Sequence, residues 1–170
     1  MKRIFIFAFF LIAYSLSFCQ AQFEVSQDPK HPEVKILRGL VNKYYIQNDS
    51  TFGWYNSSRD IYTPDTATIM AMANAKNKVQ FVIFGGTWCE DTQFILPKFF
   101  KLQEMSGVPD EKITLFGVNR DKHSLGHIAE AFGITNVPTI IVMKDGKETG
   151  RVVEYGKTGK WDKELAGLLN

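Results

Sequence analysis

Cysteine is scarce in this chain. Cys19 and Cys89 are the two present, too few for the disulfide framework that holds small secreted scaffolds together. Histidine is scarcer than a metal centre wants. Of the three, His123 and His127 stand four apart, a metal-like spacing on one expected helix face. No third ligand accompanies them, so neither a metal nor another cofactor is expected. Neither sign of charge dominates. The 20 Lys and Arg against 18 Asp and Glu include no basic run that would mark a nucleic-acid partner. Internal repeats are absent. A length of 170 residues leaves room for one ordinary domain and a modest extension. An apolar fraction of 45% is that of a globular protein, not a disordered one.

One long apolar run is present, at the start. Lys2 and Arg3 precede Ile4 to about Phe18, and small Ala21 follows as a cleavage point. This is the pattern of a secretory leader over residues 1–21. The run falls short of the about 20 apolar residues of a spanning helix, although an uncleaved anchor remains an alternative. Acylation at Cys19 is another, with bulky Phe18 where a lipobox has a small residue. Cleavage or acylation alike leaves Cys89 as the one free thiol. An odd cysteine in an exported chain points to a reactive thiol or intermolecular pairing. A buried, inert cysteine is the plain alternative.

Residues 22–32 are polar, with Pro29 and Pro32, and read as a linker. Val34, Ile36, Leu37, Leu40, Val41, Tyr44 and Tyr45 recur at roughly helical spacing and predict an amphipathic helix. Residues 47–62 read as loop, interrupted by Gly, Asn and Ser. Their aromatics, Phe52, Trp54 and Tyr55, fit packing better than a binding surface. Thr63 as N-cap and Pro64 in the first turn open a helix to about Asn77. Val79–Phe84, ending at Gly85-Gly86, predicts a buried strand. A helix from near Cys89 carries Phe94 to Leu102, with Pro97 inside it expected to kink it. Ile113–Asn119 is the next strand, and "LGHIAEAFG" a helix ending at Gly133. "TIIVM" and "GRVVEY" flank the hairpin turn Lys144-Asp145-Gly146-Lys147, and "KWDKELAGLL" closes as a helix. The order α-β-α-β-α-β-β-α predicts an α/β class, a partly parallel mixed sheet with helices on both faces. The expected division is leader 1–21, N-terminal linker and helical extension 22–62, and one domain 63–170.

The stretch "VQFVIFGGTWC", Pro97 eight residues after Cys89, "FGITNVPTIIVMKDGKETGRVVEYG" and Gly156 together resemble the thioredoxin-like superfamily over about Lys78 to Leu169. The resemblance implies a thioredoxin-like fold with Trp88 and Cys89 at a redox turn. It also implies a cis Val137-Pro138 bond packed against Cys89, with Val137 offering its backbone to an extended substrate strand. Together with the leader it suggests an exported, periplasmic member. Its partners would be protein thiol or disulfide clients or low-molecular-weight thiols, with no nucleic acid. A membrane enters only if Cys19 is lipidated or the leader stays.

The chain departs from the family pattern at two points. Thr92 replaces the second cysteine, and apolar Ile83 aligns with the family's buried acid. Cys89 opens a helix, where free N–H groups favour an anion. The Thr92 hydroxyl, one turn on, is expected to donate to its sulfur. Glu90 and Asp91 oppose the thiolate, and as acids in a first turn they also serve as ordinary capping. No basic residue is evident beside the sulfur; Lys98 is too far along the helix. The expected activity is thiol–disulfide exchange through Cys89 alone, with an external thiol releasing the mixed disulfide. A redox-inactive binding or chaperone module ranks second, and peroxide sensing or reduction third.

Overall fold

The computed structural model describes residues 22–169. The expected leader, with Cys19, lies outside the described residues. Six strands form one mixed sheet in the order β1-β2-β4-β3-β5-β6. They are β1 (Phe23–Gln27), β2 (Lys35–Val41), β3 (Gln80–Gly85), β4 (Ile113–Gly117), β5 (Thr139–Lys144) and β6 (Lys147–Val153). β3 and β4 run parallel, and the other neighbouring pairs are antiparallel. The α-helices are α1 (Lys43–Asn48), α2 (Trp54–Asp60), α3 (Thr66–Ala75), α4 (Glu90–Ser106), α5 (Ile128–Ala131) and α6 (Trp161–Gly167).

Strand alternation divides the core into two. Phe81 and Ile83 of β3, Leu115 of β4, and Ile140 and Val142 of β5 face the larger cluster. There they meet Ile95, Leu96, Phe99 and Phe100 of α4, Tyr55 of α2, Met72 of α3 and Trp161 of α6. Phe84 and Ile141 face the other way, toward Ala129 of α5, Ile134 and Val137. Each such side chain contributes about 1.5–3 kcal/mol when fully enclosed. The α/β class, the mixed sheet and the helices on both faces are those the sequence predicts. α4 continues as one helix past Pro97, with a buried stripe, Ile95 to Leu102, along it. It stops at Gly107, whose φ of +67° suits glycine, with the Gly107 N–H on the carbonyls of Gln103 and Glu104.

The N-terminal third folds differently from the sequence expectation. The helix expected across residues 33–46 is strand β2 followed by the short α1. Ile36 and Leu37 are consecutive and both buried, so β2 opens without alternation. From Leu37 to Val41 burial alternates, but a glycine holds the middle inward position and apolar Leu40 an outward one, which hides the period-2 signal. Asn42 starts α1 by accepting the Tyr44 N–H at 2.9 Å. The expected linker contains β1. The expected loop is a 3-10 turn, Ser50–Phe52, and then α2. Its aromatics pack: Phe23, Tyr45, Phe52, Trp54, Tyr55 and Phe100 form an unbroken chain of ring contacts. The extension is therefore strand and helix, and its strands join the sheet of residues 63–170. Gly39 pairs with Gly117 across β2 and β4. Gly39 has φ +117°, and a Cβ on Gly117 would run into the Leu37 carbonyl, so this close approach needs both glycines.

Two helix starts also move. α3 is capped by Asp65, which accepts the Thr68 N–H at 3.0 Å, in place of Thr63. The helix expected from Leu125 is a 3-10 turn and then the four-residue α5. Gly126 and His127 stand at φ +64° and +56° and break it.

Candidate functional site

The parallel pair β3 and β4 end side by side, so the segments leaving them meet above the sheet. From β3 come Gly86, Thr87, Trp88 and Cys89. Cys89 is the N-cap of α4 and half-buried. Its N–H bonds the Gly86 carbonyl at 2.9 Å, and its carbonyl accepts the Gln93 N–H at 2.9 Å. Gln93 Nε2 donates to the Thr87 carbonyl at 2.8 Å and closes the loop. The Cys89 Sγ donates to the Val137 carbonyl at 3.2 Å. The Val137–Pro138 peptide bond is cis. Trp88, Cys89 and Val137 pack at the same small cluster. The structure thus brings Trp88, Cys89, Val137 and Pro138 together.

Thr92 sits differently from expectation. It is 1% exposed, and its hydroxyl accepts the Gly86 N–H at 3.2 Å. Among the described residues no hydrogen bond joins Thr92 to Cys89. The hydroxyl is turned to the loop that presents the sulfur. Ile83 is fully buried in β3, between Leu115 and Ile140, so no acid stands on that strand below the loop. Glu90 and Asp91 occupy the first turn of α4. Tyr155 lies close by, its ring 5.8 Å from that of Phe94. Burial and then a hydrogen bond with the Asp91 carboxylate push its phenol pKa up.

His123 and His127 do not share a helix face. Both precede α5 and approach the same Glu130 oxygen, at 3.7 and 3.5 Å. Among the described residues no group of three or more His, Cys, Asp or Glu side chains could hold a metal. No described helix is long and apolar enough to cross a membrane.

Several residues at the site were not legible in the sequence. Thr87 is 4% exposed. Its hydroxyl donates to the Lys35 carbonyl at 2.7 Å and accepts the Leu37 N–H at 3.3 Å, both on β2. Trp88 Nε1 donates to the Val118 carbonyl at 2.9 Å. Arg120 and Lys122, just beyond β4, lie over the Trp88 ring, 5.0 and 5.8 Å from its centroid. The sequence offered no basic residue beside the sulfur, and these two stand at the neighbouring Trp88 ring. Both come from the loop that follows β4. The placement of loops after parallel strands was the available signal.

A half-buried thiol at a helix start, facing a cis-proline loop over a mixed sheet, defines a thioredoxin-type domain. The Thioredoxin family model matches residues 65–166, and the chain belongs to that family. It is 38% identical over 89 residues to a thioredoxin of Chlamydia caviae, covering 51% of this chain and 76% of that one. It is 32% identical over 82 residues to a thioredoxin of Staphylococcus saprophyticus, covering 48% and 74%. A solved protein of unknown function from Pseudomonas aeruginosa shares the fold at a TM-score of 0.51 and 16% identity, covering 75% of this chain and 87% of that one. Membership gives the general chemistry, thiol–disulfide redox exchange with protein thiol and disulfide substrates.

Proposed function

We propose that the protein is an exported, periplasmic thiol–disulfide exchange protein that works through Cys89 alone. The supporting observation is the sulfur itself, half-exposed at the start of α4 and 3.2 Å from the carbonyl of Val137. The Cys89 thiolate attacks one sulfur of a client disulfide. A new S–S bond forms, the client's S–S bond breaks, and the released client thiolate takes up a proton. Thr92 has no sulfur with which to finish the step. A low-molecular-weight thiol, as its thiolate, then attacks the mixed disulfide. It leaves bonded to the client sulfur, and Cys89 is regenerated. A further equivalent of that thiol reduces the client and is itself oxidised. The leader over 1–21 supports export.

The full burial of Thr92 and Ile83 favours a second reading, a binding module that uses the Val137–Pro138 groove without redox turnover. One experiment separates the two. The protein and its Cys89→Ser variant are exposed to oxidised glutathione across a pH series and followed by intact mass. An adduct on the wild type alone, reversed by reduced glutathione, is the expected result. A folded wild type that takes no adduct leaves the binding module.

A further inference from the structure

Both residues between Gly86 and Cys89 are held by the N-terminal strands and the turn that joins them. Thr87 is bonded to β2 through Lys35 and Leu37. Trp88 is held less directly. Its indole N–H is fixed on Val118, and the Arg120 guanidinium covers a face of the ring, a placement that suits the planar arginine head. That guanidinium is fixed in turn. Its Nε donates to Asp28, in the turn between β1 and β2. The Asp28 side chain has no solvent exposure. Its carboxylate also accepts the N–H groups of Lys30 at 2.8 Å and His31 at 3.2 Å. The acceptor is therefore held by backbone before it meets the arginine.

We propose that Arg120, aligned by Asp28, is a positioning residue for exchange at Cys89. It holds the Trp88 indole in the place from which the neighbouring sulfur meets a disulfide. The N-terminal strands, outside the matched thioredoxin segment 65–166, are then part of the reactive site. Disulfide exchange needs the three sulfurs nearly in line, and a small misplacement of reacting groups costs rate steeply. The kinetic part of the inference rests on the exchange reading above.

Electrostatics and positioning make opposite demands on two variants. Arg120→Gln removes a positive charge and Asp28→Asn a negative one. Action through the field at the thiolate would move the pH midpoint of Cys89 alkylation in opposite directions. Positioning slows exchange in both variants alike and leaves the midpoint in place.

The test measures the rate of adduct formation with oxidised glutathione, the pH profile of iodoacetamide alkylation, and the Trp88 indole N–H resonance, assigned with Trp88→Phe. Each single variant should exchange about tenfold slower. The double variant should be no slower than either single, since both break one unit. Arg120→Lys, which keeps the charge but lacks the plane, should fall between. The indole resonance should move in both singles. Additive losses, opposite midpoint shifts or an unmoved indole resonance would overturn the proposal. A folded wild type inert to glutathione would end the exchange reading alone, and the indole resonance would then decide whether the Asp28–Arg120 pair holds Trp88.

Discussion

Replacing Thr87 by Val tests whether the reactive loop is tied to β2. The two side chains are close in shape, so the change chiefly exchanges a hydroxyl for a methyl. It leaves the Lys35 carbonyl without its 2.7 Å donor and the Leu37 N–H without its 3.3 Å acceptor. Stripping a buried polar group of its partner costs about 1–3 kcal/mol. The shorter bond falls in the middle of that range and the longer one at its low end, so the sum is about 3 kcal/mol. For a domain of this size each kcal/mol moves the midpoint by about 2–4 °C, so Thr87→Val should melt about 6–12 °C below wild type. Urea unfolding should give the same loss, and the Leu37 amide should exchange faster. Thr87→Ser keeps the hydroxyl and should recover most of the stability. A Thr87→Val protein within about 0.5 kcal/mol of wild type, or a Thr87→Ser protein as unstable as the valine variant, would refute the argument.

The Lys35 ammonium, and after it the Thr51 hydroxyl and N–H, donate to the Asp49 carboxylate and hold it at about 2. A depressed carboxylate stabilises the fold above its unfolded value and loses that contribution as pH falls. Wild type should therefore outlast Asp49→Asn near neutrality in acid-titrated urea unfolding, the gap closing between pH 3.8 and about 2. The raised Tyr155 phenol should fall toward its ordinary value of 10.0 in Asp91→Asn. Ultraviolet phenolate titration shows this, with Tyr155→Phe identifying the signal. Gly156 has φ +74°, and a Cβ there would stand 2.6 Å from a Glu164 carboxylate oxygen. Gly156→Ala should cost about 1–3 kcal/mol in urea unfolding.

The sequence carried the parts of this molecule that local patterns encode. β3 is a short apolar run ended by glycines, and β5 and β6 flank Asp145-Gly146. α4 shows its buried stripe, and Cys89, Val137 and Pro138 lie within a recognisable frame. β2 was missed because Ile36 and Leu37 are buried in succession and Leu40 is apolar though exposed, so that with Val41 they imitate a helix. α2 was missed because Asn56, Ser57 and Ser58 look like loop, while Tyr55 forms its buried contact through one residue. The role expected of Thr92 failed for a different reason. Spacing put its hydroxyl near the sulfur, but burial turned it toward Gly86. Asp28, Thr87 and Arg120 were invisible because their meaning lies in contacts between distant segments: Asp28 and Arg120 are 92 residues apart.

That separation bears on how the chain is made. Synthesis proceeds from the N-terminus, so β1, β2 and Asp28 emerge before β3 and β4, whose sheet they join. β2 must wait for β4, its partner beyond β1, and Asp28 for Arg120 three residues further on. Cys89 emerges in between. The cysteine is therefore complete in the nascent chain before its outer brace exists, and β1 and β2 cannot join the sheet until β4 follows them. Contacts of such long range are slow to form. On the proposal above, the reactive loop reaches its braced form only after the chain has been delivered as far as Arg120.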